Sequence, residues 1–241
     1  MFSTELTNFL KSVSKISNSI ILRSPVTYGK SEVNDISFSF NLTSVSEDEN
    51  DTFDGDIGLF NLNGFLNVLG LFGDNSDERD VVIENNCINI SNEHSKARYL
   101  MTAPQLLSAF EFKPEQMDIV DSKPSVAEFV LTQDDIKKLR SASAALDELK
   151  FIEFKGEDGV EISLSSVGKF NASSNTYTLK KSCDTHKNFD ILISLETFMR
   201  IPLHDYTVCV KYNEARDEFR ILMKSNNVKS FRLQVTVKPK Q

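Results

Sequence analysis

Phe53-Asp54-Gly55-Asp56-Ile57-Gly58-Leu59-Phe60 runs without a break into Asn61-Leu62-Asn63-Gly64-Phe65-Leu66-Asn67-Val68-Leu69. The first segment reads as a strand and the second as a short apolar helix, with Asn61 placed to cap its free amides. The same transition recurs in Asn188-Phe189-Asp190-Ile191-Leu192-Ile193-Ser194-Leu195-Glu196-Thr197-Phe198-Met199-Arg200. What surrounds the two copies also matches. An amphipathic helix precedes each by several strands, and more strands follow.

In the first half, residues 3–16 place Leu6, Phe9, Leu10, Val13 and Ile16 on one helix face. Lys11 and Lys15 fall on the opposite side at about 100° per residue. Strands are expected at Ser19–Arg23, Ile36–Leu42, Phe53–Phe60, Asp80–Glu84, Cys87–Ser91 and Ala97–Thr102, with a tight turn at Asn85-Asn86. In the second half Thr132 caps a helix, and Asp135 acts as the capping-box acid. Ile136, Leu139, Ser143 and Leu146 form its core stripe. Lys137, Lys138 and Ser141 lie opposite, and Arg140 lies on the flank. Strands follow at Lys150–Lys155, Val160–Val167 and Thr176–Lys181, then at Tyr206–Tyr212, Glu218–Met223 and Ser230–Val237. A repeat of roughly 120 residues is a duplicated domain rather than a solenoid. The seam lies in Glu111–Ser125, where Pro114 and Pro124 stand among charged residues. The expected fold is therefore α+β, with domains 1–113 and 126–241 joined by a connector at 114–125.

Charge is distributed unevenly. The net charge is −8, from 27 basic and 35 acidic residues. Residues 1–120 hold 8 basic against 18 acidic side chains, and residues 121–241 hold 19 against 17. The acidic run Glu47–Asp56 reads as a solvated loop. Residues 211–241 carry 8 basic and 3 acidic side chains. An acidic chain does not adsorb freely to nucleic acid, so any such role needs a local basic surface.

Several chemistries are excluded by what is missing. The three cysteines (Cys87, Cys183, Cys209) are far apart, without metal-ligand spacing, and their sparse odd count suits a reducing compartment. There is no phosphate-binding glycine loop, no nucleophile elbow and no zinc-protease motif. The densest apolar run, Leu62–Phe72, is interrupted by Asn and Gly and is too short to cross a membrane. The opening Met1-Phe2-Ser3-Thr4-Glu5 lacks signal-peptide character. Asp134-Asp135 is explained by the preference for acids in a first helical turn. No cofactor, metal or catalytic group is expected, which leaves a binding or scaffolding protein. What stands out is the basic residues on helix faces away from the core: Lys11, Lys15, Lys137, Lys138, Arg140 and Arg200. On any single helix an ordinary solvated face would look the same. The second helix breaks the pattern, with no Lys or Arg between Asn61 and Leu71.

The duplicated order, the string Ile16-Ser17-Asn18-Ser19-Ile20-Ile21-Leu22-Arg23-Ser24 and above all Asn61-Leu62-Asn63-Gly64-Phe65-Leu66 resemble the trimeric sliding clamp, or DNA polymerase processivity factor, of T-even-type bacteriophages. The resemblance implies a DNA-clamp fold with two helices packed on antiparallel β-sheets in each domain. Three subunits would close a ring with the helices lining its hole. It implies a non-catalytic protein that encircles double-stranded DNA without reading sequence and tethers the DNA polymerase. A clamp-loader ATPase would open the ring, in the cytoplasm of an infected bacterial cell. Lys11, Lys15, Lys137 and Arg200 fall where that family's inner surface is basic, whereas Lys138 and Arg140 are placed there by periodicity alone. Two readings compete. One is a virion or scaffold protein of similar build. The other is a single-strand binder that uses the basic strands of Lys211–Lys240, with Tyr212, Phe219 and Phe231 as stacking rings.

Overall fold

The computed structural model describes residues 2–42, 55–73, 76–110, 114–146, 149–165 and 176–239. It divides into two units: Met1–Pro114 with Val228–Phe231, and Glu115–Asn227 with Arg232–Gln241.

The first unit opens with α1 (Thr4–Val13), capped by Ser3, whose hydroxyl accepts the Leu6 amide at 3.0 Å. Its apolar face is fully buried, and Phe9 stacks on Phe40 at 4.3 Å and meets Phe231 edge-on at 5.5 Å. The helix ends at Val13 and Ser14–Ile16 continue as a turn, short of the expected 16. Strands β1 (Ile20–Leu22), β2 (Val26–Lys30), β3 (Ile36–Asn41) and β4 (Ile57–Leu59) follow. β1 pairs antiparallel with β4, and β2 with β3. No strand is expected at β2 from the sequence. This strand buries Thr27 and Gly29 rather than large apolar side chains, so it shows no hydrophobic alternation. Gly29 leaves room for a neighbouring ring, since a Cβ there would lie 2.7 Å from Phe38. The expected strand from Phe53 begins outside the described residues, as does most of the acidic run Glu47–Asp56.

After β4, α2 (Leu62–Gly70) starts where the cap was expected, with the Asn61 side chain accepting the Gly64 amide at 2.8 Å. A Cβ on Gly64 would stand 2.7 Å from that same side chain, so the cap and the glycine are fitted to each other. Two further contacts anchor α2. The Leu62 amide donates to the Asn18 carbonyl at 2.7 Å, and the Tyr99 hydroxyl donates to the Asn61 carbonyl at 2.7 Å. Phe65 is fully buried between Phe2 and Tyr99. Next, β5 (Asp80–Glu84), β6 (Cys87–Ser91) and β7 (Lys96–Leu100) form an antiparallel sheet. Asn85 and Asn86 both take positive φ, 50° and 58°, as a two-residue hairpin turn requires. A 3-10 stretch, Pro104–Phe110, completes the unit's main run.

The second unit begins with a difference. Residues expected in a connector form α3 (Pro114–Asp121). Proline at a first helical position costs no hydrogen bond, and Met117 and Val120, one turn apart, are buried. β8 (Ser125–Leu131) then leads into α4 (Gln133–Ala145). The Thr132–Asp135 capping box is complete in both directions. α4 stops at Ala145, and Leu146, expected in its stripe, is already extended. β9 (Phe151–Glu157), β10 (Gly159–Ser165) and β11 (Thr178–Lys181) follow, and β12 (Phe189–Ser194) passes directly into α5 (Leu195–Arg200). The chain continues through β13 (Tyr206–Asn213), β14 (Glu218–Ser225), β15 (Arg232–Val235) and β16 (Lys238–Pro239). The strand order β11-β10-β9-β12-β16 makes one antiparallel sheet, and β8, β13, β14 and β15 lie side by side. Ile136, Leu139, Phe154, Ile193 and Phe198 are buried at 2% exposure or less, which places this unit's core between its helices and strands. Each unit thus carries a strand that feeds a short helix, β4 into α2 and β12 into α5.

Candidate nucleic-acid interface

The basic residues named from the sequence fall into two groups. In the first unit, Lys11 is exposed in the last turn of α1, and Lys15 is exposed in the turn just beyond. Burial of Leu6, Phe9, Leu10 and Val13 turns these ammonium groups away from the core. α2 has no basic residue in this unit, and its exposed positions are Asn63, Asn67 and Gly70.

In the second unit, Lys137 and Lys138 are exposed on α4, opposite buried Ile136 and Leu139. Lys137 approaches Asp134 one turn earlier at 3.7 Å, a contact on a solvated surface that leaves the ammonium accessible. The capping box holds the first turn of α4, and Asp135 is also bonded to Lys181. Burial would raise the Asp135 carboxyl, but the bonds from Lys181 and Thr132 outweigh it and hold the group below the usual carboxylate range.

Arg140 behaves differently from its neighbours. It is half-buried, and its Nη2 donates to the carbonyls of Phe198, at 3.1 Å, and of Ile201. Those carbonyls lie at the C-terminal end of α5, where helical acceptors run short of intrahelical partners. Its charge therefore ties α4 to α5 rather than standing free on the surface. Burial also pulls the guanidinium below the usual arginine range. Arg200, the last residue of α5, is half-buried as well. Within this unit the structure brings Arg140 together with the end of α5, while Lys137 and Lys138 stand clear of it.

The rings proposed for single-strand stacking are occupied. Phe231 is 1% exposed. Phe219 packs on Phe189 and Tyr212, and the Lys187 ammonium covers the Tyr212 ring at 3.6 Å. Of the histidines, His94 and His186 are exposed and His204 is absorbed into packing. His204 shares a 2.8 Å hydrogen bond with Ser225, and burial lowers its pKa. Among the described residues no group of three or more His, Cys, Asp or Glu could hold a metal ion, and no helix is long and apolar enough to cross a membrane.

A further feature of the second unit has no counterpart in any sequence motif. A cavity of about 250 Å³ lies in the second unit between α3 and the β13–β14 turn. It draws on residues 116–123 and 211–220, far apart in sequence, and no single segment signals it.

The fold is similar to that of solved PCNA and DNA polymerase III beta-subunit structures. The structure aligns with proliferating cellular nuclear antigen from Entamoeba histolytica at a TM-score of 0.68 and 11% identity, over 98% of this chain and 95% of that one. The A. fulgidus PCNA, solved with the C-terminal region of FEN-1 bound, aligns at 0.65 and 10% identity over 99% and 97%. A putative DNA polymerase III beta subunit from Eubacterium rectale aligns at 0.63 and 11% identity, over 96% of this chain and 64% of the longer one. At such identities the likeness is one of fold. The sequence matches no protein-family model and no curated protein.

Proposed function

We propose that this chain is a sliding-clamp subunit that encircles duplex DNA and tethers a replicative polymerase, without catalysing a reaction. The observation that carries this reading is the clamp fold along nearly the whole chain. Exposed lysines on both α1 and α4 support it. A ring works by topology, because threaded DNA cannot leave sideways. Contacts to the duplex should then be weak and blind to sequence, as mobile lysines on phosphates are. Three copies closing head to tail would carry a charge of −24 from the −8 of each, which keeps DNA off the outer surface. The resemblance to phage clamps extends the proposal to viral DNA replication in an infected bacterial cell, with a clamp-loader ATPase opening the ring. The single-strand alternative loses support from its covered rings.

The test reverses Lys11, Lys15, Lys137 and Lys138 to Glu together. These side chains are exposed, so the urea-unfolding midpoint should stay near wild type. Polymerase processivity on primed circular DNA should fall, and the salt dependence of DNA association should flatten. Unchanged processivity in the folded variant would move the DNA-facing role elsewhere. Arg140 and Arg200 are left intact because reversal there would disturb the end of α5.

A further inference from the structure

β14 ends at Ser225 and β15 begins at Arg232, with Lys224 opposite Arg232, so residues 226–231 are the loop between two paired strands. Such a connection ordinarily runs over the surface. Here Val228 is only 4% exposed and Phe231 only 1%. Both strands belong to the second unit, yet Val228–Phe231 belong to the first. The chain thus leaves the second unit after Asn227, adds four residues to the first, and returns at Arg232. The Phe231 amide donates to the Val228 carbonyl at 3.2 Å, which closes a tight turn. Ser230 inside that turn takes a φ of 61°, a left-handed conformation that a serine keeps only where its surroundings impose it. The ring of Phe231 does so by entering an aromatic cluster. It meets Phe9 of α1 edge-on at 5.5 Å, while Phe40 stacks on Phe9 at 4.3 Å and Phe38 stands edge-on to it at 6.3 Å. Phe38 and Phe40 come from β3, and Phe231 comes from near the end of the chain. All four rings are at 1% exposure or less.

We propose that Val228–Phe231 is a latch that holds the second half of α1 in place, so that the first unit is not complete without the end of the chain. α1 has 10 residues, short of the roughly 12–15 at which a helix stands alone in water, and it depends on the packing of its apolar face. Its first half has ties of its own. Ser3 caps it, and the Thr7 hydroxyl accepts from the buried Arg79 at 3.2 Å. From Phe9 onward the helix relies on the ring cluster, and one of the three rings around Phe9 is supplied by the latch. Lys11 lies in that second half and Lys15 follows it. Phe231 is therefore a positioning residue for the lysines that the clamp reading turns toward DNA, although the latch itself stands whatever the chain binds. Closing a contact between two ends of a long chain costs entropy, and a preformed hairpin lets Val228 and Phe231 share one such cost.

The test is amide hydrogen exchange, read by mass spectrometry on the full-length protein, for wild type, Phe231→Ala, Phe231→Leu and Val228→Ala. In Phe231→Ala the amides of residues 9–13 should exchange about a hundredfold faster, as loss of a buried phenyl group from one local unit predicts. In Phe231→Leu, which keeps most of the volume, the acceleration should be below about tenfold. The amides of α4, in the second unit, should exchange at the wild-type rate in both. Wild-type protection of α1 in Phe231→Ala would overturn the proposal, and so would equal acceleration of α1 and α4. Should Phe231→Ala fail to fold, Phe231→Leu and Val228→Ala remove less and are read the same way: acceleration confined to α1 supports the latch, and acceleration spread over both units overturns it. Retention on closed circular DNA, measured beside the exchange, reports separately on the clamp reading. Fast α1 exchange with lowered retention supports both. Fast α1 exchange with wild-type retention keeps the latch and takes α1 off the DNA-facing surface.

Discussion

Arg140 and Lys138 stand two residues apart on α4, and the core decides what each contributes. Lys138 points into solvent, so its charge is available to any passing phosphate. Arg140 lies at the edge of the helix–helix contact, where it donates to the Ile201 carbonyl and to the Phe198 carbonyl, which also accepts the Ile201 amide at 3.2 Å. A guanidinium reaches both from one nitrogen and stays charged when half-buried, which an ammonium does less well. Arg140→Ala should destabilise the protein by about 1–3 kcal/mol, because it removes two charge-assisted hydrogen bonds and the donor that reaches the Ile201 carbonyl. Lys138→Ala should stay within about 0.5 kcal/mol of wild type. Urea unfolding of the two variants checks this, and equal midpoints would show that the Arg140 contacts contribute nothing. Helical periodicity puts both residues off the core stripe and has no means of telling them apart.

At the scale of the element, α3 is held by charge as much as by burial. Asp121 accepts from Lys224 at 2.7 Å and from Arg232 at 3.4 Å, and the buried Lys211 caps the end of the helix. Burial alone would raise the Asp121 carboxyl, but Lys224 above all, with Arg232 and Lys211, brings it below its ordinary value. The Lys224 ammonium is raised in turn by its bond to Asp121. A depressed carboxyl stabilises the fold above its unfolded pKa of about 3.9, and that contribution is lost as pH falls through the folded value. A raised ammonium stabilises below its unfolded pKa of about 10.4, and that contribution is lost as pH climbs through the folded value. The stability difference between wild type and Asp121→Asn should therefore be level near neutrality and shrink below about pH 4. Urea midpoints across that range test it, and a difference independent of pH would mean that the pair does not hold the helix. In the sequence these residues read as a connector, because the prolines and charges around them are linker-like. Their pairing partners lie about 100 residues away on β14 and β15. β8 is not among the expected strands either, although Ala127, Phe129 and Leu131 alternate against exposed Glu128 and Val130.

For the whole molecule, the decisive quantity is the mass in solution. The proposed ring should appear in native mass spectrometry at micromolar concentration as three times the 27.2 kDa subunit. A stable monomer at every concentration would sink the ring, and a dimer would leave a clamp of different symmetry. The sequence by itself determined the duplicated order of elements, the caps at Asn61 and Thr132, the Asn85-Asn86 turn and the outward lysines. All of these follow from forces acting within a few residues: periodic burial, backbone capping and turn geometry. Only the tertiary structure decided that a charged connector becomes α3, that Gly29 admits β2 beneath Phe38, that Arg140 serves α5 rather than the surface, and that a cavity forms between α3 and the β13–β14 turn. Each of these depends on a partner distant in sequence. The free energy of such a contact is absent from any local window of the chain until folding brings the two sides together.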